Sequence, residues 1–280
     1  MTAPTADILS RFAVTEAAFV AETALARVWK VTRADGTAAA LKVYLRDMDT
    51  EASGIALMRH LRGRGAATIY DRSDTAVLLE WLDGPSLGDL LRDGQIATAD
   101  AQLLQVAKTV LAHGADAPIH LDWLSNWFAA LFDAHCGPDV PATMRATLRR
   151  ATALAQDLLA TSGPQSPLHG DLHHDNIKES ARGFLAIDAK GVRGDRHYEL
   201  ANAFRNPLGA EAIYRSPAII AQRARSWAQD FDTTPNKLLS WAAAHAALSL
   251  CWTAQGHFTA AQAPEARLID TIFALIDQSS

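Results

Sequence analysis

Two short runs rich in β-branched and aromatic residues stand near the start of the chain, "ARVWKVTR" (Ala26 to Arg33) and "AAALKVYL" (Ala38 to Leu45). Ala34-Asp35-Gly36 separates them. Asp-Gly tolerates positive φ, so the pair predicts a β-hairpin. "TEASGIALMRHLRGRG" (Thr50 to Gly65) changes the period. Ile55, Leu57, Met58 and Leu61 make one apolar helical face, and Gly63-Arg64-Gly65 ends it. A second strand pair follows, "ATIYDR" and "AVLLEWL", joined at Ser73-Asp74. After Leu82 the pattern becomes helical. "DGPSLGDLLRDG" (Asp83 to Gly94) reads as a linker with a short helix. Helical patterns run at about 99–113, 122–135, 142–161, 196–204, 217–230, 236–254 and 261–278, with Pro141 suited to a first turn and Gly163 to a stop. Only "NIKES" and "GFLAID" interrupt them as short strands. This order predicts an α+β fold of two lobes, residues 1–82 with a small sheet and residues 83–280 mostly helical.

Composition narrows the class. Of 280 residues, 49% are hydrophobic and 20% charged, which suits a globular chain with a sizeable core. The net charge of −5 argues against nucleic acid as a partner and is compatible with a small cationic ligand. Cys136 and Cys251 are too few for a disulfide framework. No signal-peptide pattern opens the chain, and the apolar run from Leu238 to Trp252 is too short for a bilayer. A cytoplasmic location is expected, with no membrane partner. Oligomeric state is not encoded legibly.

The chemistry concentrates in "PLHGDLHHDNIKESARGFLAIDAKG" (Pro167 to Gly191). Asp171 and Asn176 lie five apart on a segment without apolar period. The hairpin that follows would return Asp188 toward Asn176. A carboxylate and an amide oxygen are hard ligands that suit Mg²⁺, which keeps several waters and takes other ligands from phosphates. Asp171 is left to face an acceptor hydroxyl. One group aiming a nucleophile and two holding metal on phosphate oxygens describe phosphoryl transfer. Taken singly, each of these residues is an ordinary turn or capping residue; the spacing of the three is what points to chemistry. Upstream, Lys42 lies mid-strand in "ALKVY", where an ammonium needs a partner. An edge-strand lysine in solvent is the plain alternative. Glu51, opening the next helix, could pair with Lys42 over nucleotide phosphates or could simply favour the helix dipole.

"LKVYL", Glu51, "VLLEWLDG", "LHGDLHHDN" and "LAIDAKG" occur in the order and spacing of the protein-kinase-like fold. Glycine after the histidine in "HGD" resembles the aminoglycoside phosphotransferases. "LHGDLHHDN…LAIDAKGVRGDRHYELANAFRNP", "WFAALFDAH" and "WAAAHAALSLCW" are similar to the streptomycin 6-kinase type, also called the aminoglycoside/hydroxyurea resistance kinases. The resemblance implies an ATP- and Mg²⁺-dependent phosphotransferase acting on a hydroxyl of a small, aminoglycoside-like molecule. It implies that Lys42 holds the α- and β-phosphates and that Glu51 orients Lys42. The Glu80 carbonyl and Leu82 amide would meet the adenine edge as a hinge. Asp171 would be the catalytic base or orienting group, with an ordinary pKa near ~4, and Asn176 and Asp188 the metal ligands.

Some residues stand apart from that pattern. "ETALARVW" has no glycine where the phosphate-covering loop turns. Asp175 and Asp195 read as caps, His169 as packing behind Asp171, and His173 and His174 as scaffolding. Lys190 reads equally as a phosphate neutraliser or a solvated loop lysine. Trp123, Trp127, Trp227, Trp241 and Trp252 read as core. "GDLHH" also matches a Gly-Asp-x-His motif of metallophosphoesterases, but the further His/Asp/Asn clusters of a two-metal site are absent. The alternatives that stay open are a kinase of another small metabolite, such as a sugar or amino alcohol, and a non-catalytic nucleotide- or ligand-binding protein of the same fold.

Overall fold

The computed structural model describes residues 3–117 and 119–279. A short helix α1 (Ala6–Arg11) leads into strands β1 (Val14–Glu22), β2 (Ala26–Arg33) and β3 (Ala38–Tyr44). Helix α2 (Asp49–Leu61) follows, then β4 (Ile69–Arg72) and β5 (Ala76–Glu80). These form one antiparallel sheet in the order β1-β2-β3-β5-β4. The Asp-Gly turn sits between β2 and β3 as expected, with Gly36 at φ 81°.

Side chains alternate across a strand, and β3 uses both faces. Leu41 joins Trp29, Val31, Leu78 and Phe12 in a core under α1. Lys42 points the other way. β3 is the central strand of five, so the edge-strand alternative for Lys42 does not hold. On the α2 side, Met48, Ile55 and Val77 form a second small cluster. Arg62, at φ 52°, and Gly63, at φ 80°, end α2 in left-handed turns.

The larger lobe is helical. It contains α3 (Leu87–Arg92), α4 (Ile96–Gly114), a two-residue strand β6 (Asp122–Trp123), α5 (Leu124–Phe132), a second two-residue strand β7 (His135–Cys136) and α6 (Ala142–Ala160). Ser86 and Asp89 cap the start of α3 with a capping box. The chain then makes β8 (Gln165–Leu168), β9 (Ile177–Ser180), β10 (Gly183–Ala186) and β11 (Val192–Asp195). Arg196–Arg205 is a run of 3₁₀ turns rather than the expected α-helix. Helices α7 (Glu211–Tyr214), α8 (Pro217–Asp230) and α9 (Pro235–Thr253) follow, then strand β12 (His257–Phe258) and α10 (Ala263–Gln278). Prolines open α8, α9 and α10, where a missing N–H costs nothing. The apolar run around α9 is a core helix, buried on almost every turn.

Two nested ladders shape the region of interest. β8 and β11 pair antiparallel, Leu168 opposite Val192. Inside that loop, β9 and β10 pair, Ile177 opposite Ala186. Residues 169–176 and 187–191 therefore face each other between an outer and an inner ladder. The hairpin is docked on both sides: Ala67 donates to the Ala186 carbonyl, and Gly84 to that of Glu179. Both cysteines are free thiols. Among the described residues no helix is long and apolar enough to cross a membrane.

Candidate active site

The nested ladders bring the three spaced residues together. The Ile187 amide donates to the Asn176 carbonyl at 2.8 Å, which sets Asp188 beside the start of the hairpin. β10 stops at Ala186, two residues before Asp188, where the sequence had placed the strand's end. Asp188 instead sits at φ 59°, in the left-handed region that aspartate tolerates better than most residues. Its Oδ1 lies 2.8 Å from Lys42 Nζ. Burial works to raise the Asp188 pKa, but the Lys42 ammonium, with help from Lys190, holds the carboxyl below the ordinary range.

Asp171 is fixed from two sides. The Asn176 amide donates to its backbone carbonyl at 2.9 Å and to Oδ2 at 3.2 Å. The Asn202 amide donates to Oδ1 at 2.6 Å. With its nitrogen so engaged, Asn176 keeps its side-chain oxygen for another partner. Burial pushes the Asp171 pKa up, against the lowering pull of His173 and Lys190. The ordinary pKa expected from sequence is thus corrected: the carboxylate is a better proton acceptor here than in water.

The backbone beneath Asp171 rests on buried groups. Both oxygens of Glu199 accept backbone amides, from His169 at 2.9 Å and from Gly170 at 3.2 Å. With no cation beside it, Glu199 is pushed by burial up to about 7. The His169 ring is fully buried. Its Nε2 donates to the Ile187 carbonyl at 2.9 Å, and its Nδ1 accepts from the Asp171 amide at 3.3 Å. That arrangement needs the neutral tautomer, and burial pushes its pKa down to about 4. His169 therefore packs behind Asp171 as expected. His174 is also scaffolding: its Nε2 lies 2.9 Å from Asp100, which Arg223 holds from α8. Asp195 caps the 3₁₀ run through the His197 amide, as expected.

The other predicted residues gather at a cleft of about 200 Å³ lined by Val28, Lys42, Glu80, Leu82, Ile187 and Asp188, among others. The Glu80 carboxylate turns away from it, to Arg182 and the Thr68 amide. Glu51 is buried on α2, 3.9 Å from Lys42 but 2.6 Å from Lys190. Lys190 is accordingly no solvated loop residue. Asp175 is corrected as well. It is paired with Arg92 at 2.8 Å, on the side of the loop facing α3. In the glycine-free turn, Thr23 Oγ1 accepts from the Leu25 and Ala26 amides, so a hydroxyl closes the turn without positive φ.

Trp227 and Trp241 are core, but Trp123 and Trp252 are 49% and 43% exposed. Trp127 lies between: its ring abuts Gly170, where a Cβ would come within 2.9 Å, and Trp252 stands edge-on to it at 5.7 Å. Sequence reasoning missed Glu199 and Asn202. Their spacing of three, one 3₁₀ turn, was the only available signal.

Among the described residues no cluster of three His, Cys, Asp or Glu side chains could hold a metal by itself. Two oxygen donors, Asp188 and the free Asn176 oxygen, are a set that suits Mg²⁺ completed by phosphate and water.

Comparison with known proteins gives a consistent answer. The chain is 33% identical over 230 residues to a streptomycin 3''-kinase of Klebsiella pneumoniae, covering 80% of this chain and 83% of that one. It is 33% identical over 238 residues to a hydroxyurea phosphotransferase of Kitasatospora aureofaciens, covering 79% and 68%. The fold superposes on a thermostable mutant of the aminoglycoside phosphotransferase APH(4)-Ia, solved with ADP and hygromycin B, with a TM-score of 0.64 over 98% of each chain at 15% identity. Residues 11–256 match the family described as aminoglycoside/hydroxyurea antibiotic resistance kinase, and it is to this family of small-molecule kinases that the chain belongs.

Proposed function

We propose that the chain transfers the γ-phosphoryl group of ATP to a hydroxyl of a small, aminoglycoside-like acceptor. The observation that carries this is the Asp171 carboxylate clamped by two amides, with Asp188 held against Lys42 on the far side of the β9–β10 hairpin. Residues 1–82 would form the nucleotide-binding lobe and residues 83–280 the lobe with the catalytic loop. ATP would lie in the cleft beneath β1–β3, with its adenine edge at the Glu80 carbonyl and Leu82 amide. Lys42 would leave Asp188 for the α- and β-phosphates, braced by Glu51. Asn176 and Asp188 would hold Mg²⁺, which neutralises charge on the phosphate oxygens when bound.

Asp171 then does the local work. It accepts a hydrogen bond from the acceptor hydroxyl and fixes its oxygen in line with the γ-phosphorus. As the new P–O bond forms and the bond to the ADP oxygen breaks, the hydroxyl proton passes to Asp171 and from there to solvent. Positioning and charge neutralisation provide most of the acceleration. An acceptor bearing ammonium groups suits a chain with net charge −5 and the half-buried Trp127 indole beside Gly170, with the exposed Trp252 against it. The streptomycin kinases among its relatives support a cationic acceptor, while the hydroxyurea phosphotransferase supports only a small hydroxyl compound.

A coupled ADP-release screen across aminoglycosides, amino sugars, choline-like alcohols and hydroxyurea tests this. Acceptor-dependent ADP release that requires Mg²⁺ is expected. Nucleotide binding with no turnover on any acceptor would favour the non-catalytic alternative.

A further inference from the structure

The run Arg196–Arg205 is built of 3₁₀ turns. At three residues per turn, positions i and i+3 eclipse. Glu199, Asn202 and Arg205 thus fall on one stripe, whereas an α-helix would rotate each away from the last by about 60°. The stripe runs beside the catalytic loop. Glu199 takes the amides of His169 and Gly170, and one turn later Asn202 reaches the Asp171 side chain.

The orientation of the Asn202 amide is fixed by what surrounds it. Its Oδ1 accepts from Asn206 Nδ2 at 2.8 Å and faces Arg205 Nη1 at 3.4 Å. Asn206 is buried, and its amide also donates to the Asn202 backbone carbonyl at 3.1 Å. Two donors on the oxygen leave the nitrogen facing Asp171, at 2.6 Å. Asn176 meets the other carboxylate oxygen at 3.2 Å. With one donor on each oxygen, the carboxylate has lost its freedom to rotate about χ2, and its remaining lone pairs point in fixed directions.

We propose that Asn202, braced by Asn206, is a positioning residue that holds the Asp171 carboxylate at the angle required by the acceptor hydroxyl. The inference rests on the role given to Asp171 above. It assigns Asn202 no contact with nucleotide or acceptor. Removing it should therefore slow the chemical step and leave the binding of both substrates nearly unchanged, since misplacing a reacting group by about 1 Å can cost about 100-fold.

The test is steady-state kinetics on the full chain with Asn202→Ala, Asn202→Asp and Asn206→Ala, together with a crystal structure of Asn202→Asp. Asn202→Asp is nearly isosteric, so it keeps a folded comparison if the alanine variants fail. Expected is a drop in kcat of about 10- to 100-fold for Asn202→Ala. Asn202→Asp should fall at least as far, because it removes the donor and adds a like charge. Asn206→Ala should fall less. KM for nucleotide and acceptor should stay within about twofold, a split that a general loss of structure would not give. In the crystal, the Asp171 carboxylate should be rotated or doubly occupied. A wild-type kcat in folded Asn202→Asp, or an Asp171 side chain unmoved in its crystal, overturns the proposal. Lack of turnover by the wild-type chain on every acceptor overturns the phosphotransfer assignment instead, while the crystallographic result still decides the role of Asn202.

Discussion

The Glu51 carboxylate lies 2.6 Å from Lys190 and 3.9 Å from Lys42, so the buried acid of α2 is tied more closely to the loop after Asp188 than to the strand lysine. Lys42 is bonded to Asp188 at 2.8 Å. Two lysines and two carboxylates thus alternate around one small space. If Lys42 moves to phosphate as proposed, Lys190 would still hold Glu51 in place.

Replacing Lys190 with alanine should leave Glu51, 4% exposed, with one distant partner. A partly buried pair of this kind contributes roughly 1–3 kcal/mol. The variant should melt lower and show a raised KM for nucleotide, with the acceptor KM little changed. Glu51→Ala should be worse, because it takes from Lys190 its partner at 2.6 Å and from Lys42 its second carboxylate at 3.9 Å. Thermal melts and nucleotide titrations check both. A Lys190→Ala variant with wild-type nucleotide KM would show that the contact does not support the site.

Asp171→Ala and Asp188→Ala should both abolish transfer, by different routes. Loss of Asp171 removes the group proposed to align the hydroxyl, worth about 10²- to 10⁴-fold in comparable cases, while nucleotide binding should survive. Loss of Asp188 removes the proposed metal ligand and also the partner 2.8 Å from Lys42, so Mg²⁺-dependent nucleotide binding should weaken too. Lys42→Ala should mainly weaken productive nucleotide binding. Isothermal titration beside turnover separates the three. Full activity in Asp171→Ala would end the assigned chemistry.

Much of this was legible in the sequence because it is local. The Asp35-Gly36 turn, the α2 face and Pro141 at the start of α6 each signal within a few residues. Asp171, Asn176 and Asp188 were legible through spacing across one hairpin. What was not legible depends on long-range contact. Lys190 meets Glu51 across 139 positions. Glu199 and Asn202 fall in a stretch, about 196–204, that reads from sequence only as helical, since a 3₁₀ run and an α-helix share the same local pattern. The exposed Trp123 and Trp252 read as core because sequence alone does not say where a helical lobe leaves an open face.

Acid should destabilise the fold before it protonates the surface carboxylates. Burial pushes His169 down to about 4 and His245 down to about 3. Both stay neutral in the folded chain while the unfolded chain takes up protons below about 6.5, so stability falls as pH drops through that window. Glu199 acts in the opposite sense. Pushed up to about 7, it binds a proton in the folded state between about 7 and 4.5, where the unfolded chain does not, and this gains stability as pH falls. Burial pushes His173 and His174 down in the same way and Asp171 up, so four histidines against two carboxyls leave a net loss of stability as pH falls from 7 to 4. Glu199→Gln removes its part of the opposing gain and should steepen the loss. Urea midpoints measured at half-unit pH steps check this; parallel profiles for wild type and Glu199→Gln would contradict it.

Gly54 gives the sharpest structural expectation. In a helix interior, glycine to alanine ordinarily gains up to about 1 kcal/mol. Here the sign should reverse. A Cβ at Gly54 would lie 1.6 Å from the Ala189 carbonyl oxygen, and one at Gly191 would lie 2.5 Å from the Ser53 backbone. α2 and the loop after Asp188 are pressed together with no room for a methyl group on either side. Both close approaches are to backbone, so neither can relax by turning a side chain. Gly54→Ala must push α2 away from the loop, which stretches the Glu51–Lys190 pair and opens the space around Lys42. A stability loss of roughly 2–4 kcal/mol is expected, in the range of other overpacked or strained interior sites. Nucleotide KM should rise more than acceptor KM. A Gly54→Ala chain as stable as wild type in urea would mean that α2 and the metal-side loop are free to move apart, and the tight coupling inferred between them would not hold.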